Sequence, residues 1–432
     1  MKPKKGLCYL LAFLVVVNLF FPIVNSDEGE TSSLVGPESR VTEDPKWQTN
    51  AEIWNDTVVW EDYRDDPIGA WSKPGNRDSN IYMRDLAKNS TTQITINSSS
   101  QVNPDIWENY VVWEDHRDGN ADIYMVDLDK DELEPKRITD SDENQVNPSI
   151  HDGKIVWEDY RNNIYGDIYL YDISEEESYR LSDQRLPQVD PDIHGERVVW
   201  SDYRKYWWGE YDSFVADIYM FDLEKDNNSN GLPDYKDPET EMESAISPFT
   251  SSEIHQHTPS IYEEKVTWME YQGKNNNDIY LKEVGGSKER VSEDINLDHN
   301  SDHNPDIFKD RIVYERRGYS SDGRHLSDSV VLYDVNEDRT EVIFRSNHTE
   351  EDPKSLVKVR KPAIHENRVV WERSNTSSLE HIDSEYDIFY SELESEETKN
   401  DNGSDENSSI IFLVLVAVVL GAVFIHFYNR RS

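Results

Sequence analysis

Twelve consecutive residues, Asp226-Asn227-Asn228-Ser229-Asn230-Gly231-Leu232-Pro233-Asp234-Tyr235-Lys236-Asp237, put oxygen donors at positions 1, 3, 5, 7, 9 and 12, with glycine at position 6. Hard oxygen ligands at that spacing, with glycine where the chain must turn sharply, suit Ca²⁺. The expected ligand set is Asp226, Asn228, Asn230, Leu232 through its carbonyl, Asp234 and Asp237. Asp237 stands where a longer bidentate Glu is usual, so modest affinity is expected, and an ion-free Asn/Asp-rich turn has the same composition. Two further groups, His255 with His257 and the run Asp298 to His303 with His299 and His303, offer imidazoles of the type that binds transition metals. Histidines in loops are also commonly just solvated.

A second kind of chemistry lies just upstream. Tyr203, Arg204, Tyr206, Trp207, Trp208, Tyr211 and Phe214 put six aromatics and an arginine within twelve residues. Aromatic and Arg side chains dominate binding hot spots, so this segment reads as a contact surface for a glycan or protein. The alternative is a loop folded over its own blade or plugging a channel. A second insertion, Asp65 to Ser79, carries Trp71. Catalytic patterns are thin: G-x-S-x-G and H-E-x-x-H are absent. Glycoside hydrolysis needs one pair of carboxylates, and this chain has 88 acids from which to choose.

Those acids also exclude a partner. With 44 basic residues against 88 acidic ones the net charge is −44, and a phosphate backbone would be repelled, so nucleic acid is ruled out. Disorder is excluded as well, because 12 Trp, 24 Tyr and 12 Phe are too many for a solvated coil. The single cysteine, Cys8, permits no internal disulfide.

The two ends address the chain to a surface. Residues 1–26 combine Lys2, Lys4 and Lys5, an apolar run from Leu7 to Phe21 and small residues before Asp27, the pattern of a secretory signal. An uncleaved N-terminal anchor is the other reading. Residues 410–428 hold only His426 as a polar side chain, long enough to span a bilayer as one helix. Residues 429–432, Asn-Arg-Arg-Ser, form a basic tail that favours the cytoplasmic side. Residues 396–409 read as an acidic, flexible stalk. The expected location is the cell membrane, single-pass, with the N-terminus outside. Sequons at Asn55, Asn89, Asn97, Asn227, Asn347 and Asn375 are compatible with glycosylation there, with Asn402 and Asn407 in the stalk.

A repeat supplies the elements that position these groups. VNPDIWENYVVWEDHRDGNADIYMVDL, from Val102, returns from Val146 and Val189, and in weaker form from Asn50, Thr258, Asn304 and Lys361. The aromatic closing its second segment marks seven copies: Trp60, Trp113, Trp157, Trp200, Trp268, Tyr314 and Trp371. In the second copy Pro104–Trp107, Tyr110–Glu114, Asp122–Asp127 and Arg137–Thr139 read as short strands separated by turns. Four strands per repeat predict an all-β, seven-bladed β-propeller over residues 38–395. The seventh copy lacks a fourth strand, whereas Glu38-Ser39-Arg40-Val41-Thr42 is an orphan one, so the N-terminal strand is expected to close the ring. The full expectation adds a single C-terminal transmembrane helix.

Pro104-Asp105-Ile106, Val111-Val112-Trp113, Asp115-His116-Arg117-Asp118-Gly119-Asn120, Asp122-Ile123-Tyr124 and Arg137-Ile138-Thr139 together resemble the repeat of TolB-like propellers. That resemblance implies the fold and leaves function open. Likewise, the loop from Asp226 to Asp237 resembles the calcium loops of dockerin and thrombospondin type 3 repeats. Groups repeated once per blade, such as Asp115 with Arg117, the Asp before each Ile-Tyr and the Trp series, are expected to pack and satisfy the backbone. The Asn/Asp-Pro phrases, from Asn103 to Asp306, should line the channel, with Lys361 opposing them. The resulting expectation is a membrane-anchored outer binding or scaffold module for a surface glycan, protein or envelope component, without chemistry and with Ca²⁺ as its one cofactor. The alternatives are an extracellular polysaccharide lyase or glycoside hydrolase, and an envelope-assembly factor.

Overall fold

The fold is taken from a computed structural model, which describes residues 35–66, 78–204, 215–237, 245–273, 276–292, 299–347, 357–375 and 385–394. It is an all-β, seven-bladed propeller built from seven antiparallel four-stranded sheets. Outside the described residues lie the signal, stalk, apolar C-terminal segment and basic tail expected above. Among the described residues no helix is long and apolar enough to cross a membrane. The helical content there is one turn, Asp234–Lys236.

Each blade's innermost strand comes from the Asn/Asp-Pro phrase: Gln48–Trp54, Gln101–Trp107, Gln145–His151, Gln188–His194, Gln256–Tyr262, His299–Phe308 and Val359–His365 in blades 1 to 7. Proline would be expected to start these strands, yet the strand of blade 2 begins three residues before Pro104. A bulge makes this possible. The residue before each proline (alanine in blade 1) has φ between 48° and 54°, at Asn50, Asn103, Asn147, Asp190, Thr258, Asn304 and Lys361. The pairing register with the second strand jumps across it, as between Val102 and Asp105. Proline thus sits at a bulge, where its missing N–H costs no ladder bond. Asn tolerates this left-handed conformation; Thr258, being β-branched, is strained by it. The fourth strand of blade 2 shrinks to Lys136–Arg137.

Packing between blades follows the second-strand aromatics. Trp60, Trp113, Trp157, Trp200, Trp268, Trp371 and Tyr314 are all buried, and each apolar cluster joins adjacent blades, as where Val59 and Ile81 of blade 1 meet Val111 and Trp113 of blade 2. In blades 1 to 4 the indole N–H donates to the Asp two residues on, for example Trp157 Nε1 to Asp159 Oδ2 at 2.9 Å. That Asp also receives Arg161 through its backbone N–H, Nε and Nη2, the last at 2.6 Å. The guanidinium then lies over the Tyr169 ring at 4.7 Å. The Asp-x-Arg element is therefore an internal clamp of one blade, not a pair across two. Blades 5 and 7 lack it, and among the described residues the buried Trp268 and Trp371 indole N–H groups have no acceptor.

The orphan strand Ser39–Arg40 pairs with Glu385–Glu392, Ser39 opposite Tyr390 and Arg40 opposite Phe389. Its contacts copy those of an internal fourth strand. In blade 2 Arg137 bonds Asp122 and Thr139 Oγ1 accepts the Ile123 N–H. In blade 7 Arg40 bonds Asp387 at 2.5 Å and Thr42 Oγ1 accepts the Ile388 N–H at 3.0 Å.

Candidate functional site

Because strand side chains alternate, each innermost strand presents every second residue to the central channel, whose cavity measures about 760 Å³ and is lined by all seven copies. Three tiers follow from the phrase.

The first is the left-handed tier. Its backbone N–H groups point at the previous blade's second strand: Asn103 N donates to Glu61, Asn147 N to Glu114, Asp190 N to Glu158 and Asn50 N to Glu372, at 2.7–2.9 Å. These glutamates also receive the side-chain amides of their own blades, Asn103 to Glu114 at 2.5 Å and Asn147 to Glu158 at 2.7 Å. Around the channel Lys361 donates to Asn50, Asn50 to Asn103 and Asn103 to Asn147. Charge-assisted bonds of this kind are the strong ones, so the tier is a belt between blades. Burial pushes Glu158 up to about 7 in spite of these donors.

The second tier is acidic and alternates. Asp105, Asp192 and Asp306 stand in blades 2, 4 and 6, with Ser149, Ser260 and Ala363 in blades 3, 5 and 7, and Glu52 in blade 1. Each Asp accepts the N–H of the following blade: Ile150, Ile261 and Ile364 at 2.7–2.8 Å. Ser149 and Ser260 donate forward to Asp192 and Asp306, both at 2.9 Å. Burial raises Asp105 to about 7 and Asp306 to about 6, helped by the charge of Asp192. Glu52 is held well above the ordinary carboxylate range by burial and then by Asp105 and Asp306. Asp105, Asp192 and Asp306, expected in the channel from the sequence, line it and serve the frame; Glu52, which the sequence reading did not single out, lines it as well.

The third tier is a collar that the sequence reading passed over. Its signal was a single column of the repeat, the last residue of each innermost strand: Trp54, Trp107, His151, His194, Tyr262, Phe308 and His365. Successive ring centroids lie 6.1, 5.9, 4.0, 4.4, 4.9, 4.5 and 4.2 Å apart, returning to Trp54. Trp54 also comes within 6.1 Å of His151, two blades away, so it leans across the mouth. The histidines are fixed by their neighbours: Nδ1 of His151, His194 and His365 accepts the N–H of Gly195, Glu263 and Asn55 at 2.9–3.1 Å. An accepting Nδ1 puts the proton on Nε2, so these rings are neutral donors with no lone pair left for a metal. Burial lowers His365 to about 4, and burial with the neighbouring His194 lowers His151 to about 3. The collar is thus a closed ring of apolar faces with N–H donors on its edges, above an acidic tier.

The residues expected to form sites are spread over both faces. Tyr203 and Arg204 lie at the opposite end of the inner strands: the Tyr203 ring is 5.5 Å from His255, and Arg204 is engaged by Asp202 and covers Tyr219 at 4.1 Å. Arg204 therefore belongs to the blade 4 clamp. Tyr206, Trp207, Trp208, Tyr211, Phe214 and Trp71 lie outside the described residues. His255 and His257 stack at 4.7 Å, while Nδ1 of His255 takes the Ala216 N–H. The two ring nitrogens of His303 meet Asn277 and Ser301; the His299 side chain is outside the described set. Among the described residues no three His, Cys, Asp or Glu side chains form a metal-holding group. Of the sequons, Asn55 and Asn89 are exposed at turns, Asn97 is half-buried, Asn227 is exposed, and the Asn347 and Asn375 side chains are outside the described set. In the Asp226 to Asp237 loop, on the collar's face of blade 4, Asn228 and Asn230 both meet Asp237 Oδ2, and Asp226 accepts the Gly231 N–H.

No family model matches the chain, and no curated protein matches it either. Solved structures do. The β-propeller domain of the Trilobed protease from Pyrococcus furiosus is similar at TM-score 0.55 and 11% identity, over 82% of this chain and 97% of that one. Oligogalacturonate lyase from Vibrio parahaemolyticus is similar at TM-score 0.53 and 11% identity, over 83% and 94%. TolB from Acinetobacter baumannii is similar at TM-score 0.37 and 11% identity, over 75% and 79%. At such identities the first two likenesses show the fold alone, a β-propeller, and proteins of that fold include a protease domain and a lyase.

Proposed function

We propose that this is a TolB-like, membrane-anchored outer propeller, closed by its N-terminal strand, that binds a surface glycan or an envelope protein at the collar. Residues 1–26 would direct export and residues 410–428 would hold the propeller at the membrane, joined to it by the stalk of residues 396–409. The observation that carries the binding reading is the collar. The other two tiers are mostly polar and spent on bonds between blades, whereas this tier is aromatic in every blade, differs between Trp, His, Tyr and Phe, and is partly exposed at all but the buried His365. Aromatic faces stack on sugar rings and on peptide side chains, and neutral Nε2–H groups donate to hydroxyls or carbonyls. The net charge of −44 repels polyanions, which favours an uncharged or cationic ligand and disfavours a uronate substrate of the lyase kind. A glycan and surface-protein array probed with the full chain in detergent tests this reading. Binding that Trp54→Ala with Trp107→Ala abolishes supports it; binding untouched by that pair, or turnover of an array glycan, overturns it.

A further inference from the structure

The loop from Asp226 to Asp237 joins the third strand of blade 4, Asp217–Asp222, to its fourth, Ile246–Pro248. It docks on the blade beside it through Tyr235, whose ring meets Tyr179 edge-on at 5.0 Å. Inside the loop the side chains expected from the spacing bond its own backbone or one another. Asp226 accepts the Gly231 N–H at 2.8 Å and the Asn230 N–H at 3.3 Å. The amides of Asn228 and Asn230 both meet Asp237 Oδ2, at 2.6 and 2.9 Å. Gly231, at φ 87°, makes the turn that folds the segment on itself.

Asp234 is the telling residue. It is 1% exposed. Its Oδ1 accepts the Asn227 N–H at 2.9 Å, which aims the carboxylate into the loop. Its Oδ2 is buried with no hydrogen-bond partner. A buried carboxylate oxygen left unpartnered is costly unless a cation meets it. No side chain of the loop can do so: Lys236 is turned outward to Glu175 at 2.8 Å and to Asp172 at 4.0 Å. The loop thus keeps one buried carboxylate oxygen of Asp234 unpartnered, beside two Asn amides whose oxygens replace their nitrogens on a half-turn of the last bond.

We propose that this loop is a Ca²⁺ site, held by Asp226, Asn228, Asn230, the Leu232 carbonyl, Asp234 and Asp237, which pins the third-to-fourth-strand connection of blade 4 against blade 3. Oxygen-only ligation from a flexible loop selects Ca²⁺ over Mg²⁺, which demands a smaller and stricter octahedron. The site is independent of the collar, so its failure leaves the binding reading untouched.

The test is calorimetric titration of the EDTA-stripped full chain in detergent with CaCl₂. One saturable site is expected, with Mg²⁺ weaker. Asp226→Asn and Asp234→Asn should each weaken Ca²⁺ by about tenfold or more, while Asp322→Asn, on an exposed turn of blade 6, changes nothing. Circular dichroism in EDTA checks that the variants fold. If they do not, limited trypsinolysis of the unaltered chain decides: Ca²⁺ should slow cleavage at Lys225 and Lys236, and equal rates with and without Ca²⁺ overturn the proposal. Heat that does not saturate, or that survives both loop variants at full affinity, overturns it too.

Discussion

If the N-terminal strand is a true fourth strand of blade 7, its loss should cost what the loss of any internal fourth strand costs. Thr42 allows a single-atom test. Its Oγ1 accepts the N–H of Ile388 at 3.0 Å, and both residues are buried, at 3% and 0% exposure. In blade 2 Thr139 Oγ1 accepts the Ile123 N–H at 2.9 Å, with exposures of 4% and 0%. Thr→Val keeps the shape and removes the acceptor, leaving a buried backbone N–H unpaired at about 1–3 kcal/mol. For a chain of this size that is a fall in Tm of about 1–4 °C. Scanning calorimetry on Thr42→Val and Thr139→Val, at one protein concentration and scan rate, should therefore give the same fall within error. A fall for Thr139→Val with none for Thr42→Val would refute the closing role of the strand, because the internal copy shows what the bond is worth.

Other consequences are as concrete. Asp159→Ala strands the Trp157 indole N–H and the half-buried Arg161 guanidinium, and should destabilise by about 3–5 kcal/mol in thermal or denaturant melts; Glu270→Ala removes no such indole clamp and should not reproduce that loss in full. Glu158, raised to about 7 in the fold, contributes stability that is complete below its unfolded value and lost as pH rises through 7. Glu158→Gln keeps an acceptor and should gain on the unaltered chain between pH 5 and pH 8, by at most about 3 kcal/mol, and a pH series of melts reads the difference. Burial, followed by the charges of Lys309 and Arg368, lowers His365 to about 4, and its Nδ1 accepts the Asn55 N–H at 2.9 Å. Histidine-selective NMR should show the neutral Nε2–H form down to about pH 5; protonation near 6.5 would contradict that geometry.

What could be read from the sequence was whatever the repeat states seven times. The blade count and the packed Trp series follow from one phrase, because identical neighbours demand identical bonds. Strand starts were misplaced for a physical reason. Pro104 reads as a boundary only until the left-handed Asn103 is seen to carry the strand through a bulge. The clamp of Asp115 with Arg117 was recognised as structural, but its third member, the Trp113 indole, needs coordinates. The collar was missed because its seven residues differ in type, so no repeated letter draws attention to them; only their shared position at the end of the innermost strand does. The insertion around Trp207 and Trp208 stood out for the opposite reason, being dense in one stretch of chain, which says nothing about where its side chains lie.

The central claim is that the aromatic collar reads a ligand. Its most direct measurement is binding of the full chain in detergent to a glycan and surface-protein array, beside Trp54→Ala/Trp107→Ala and, as a frame control, Thr139→Val. The account predicts a hit on an uncharged or cationic ligand that the collar pair loses and the frame control keeps. A hit retained in full by the collar variant would contradict it.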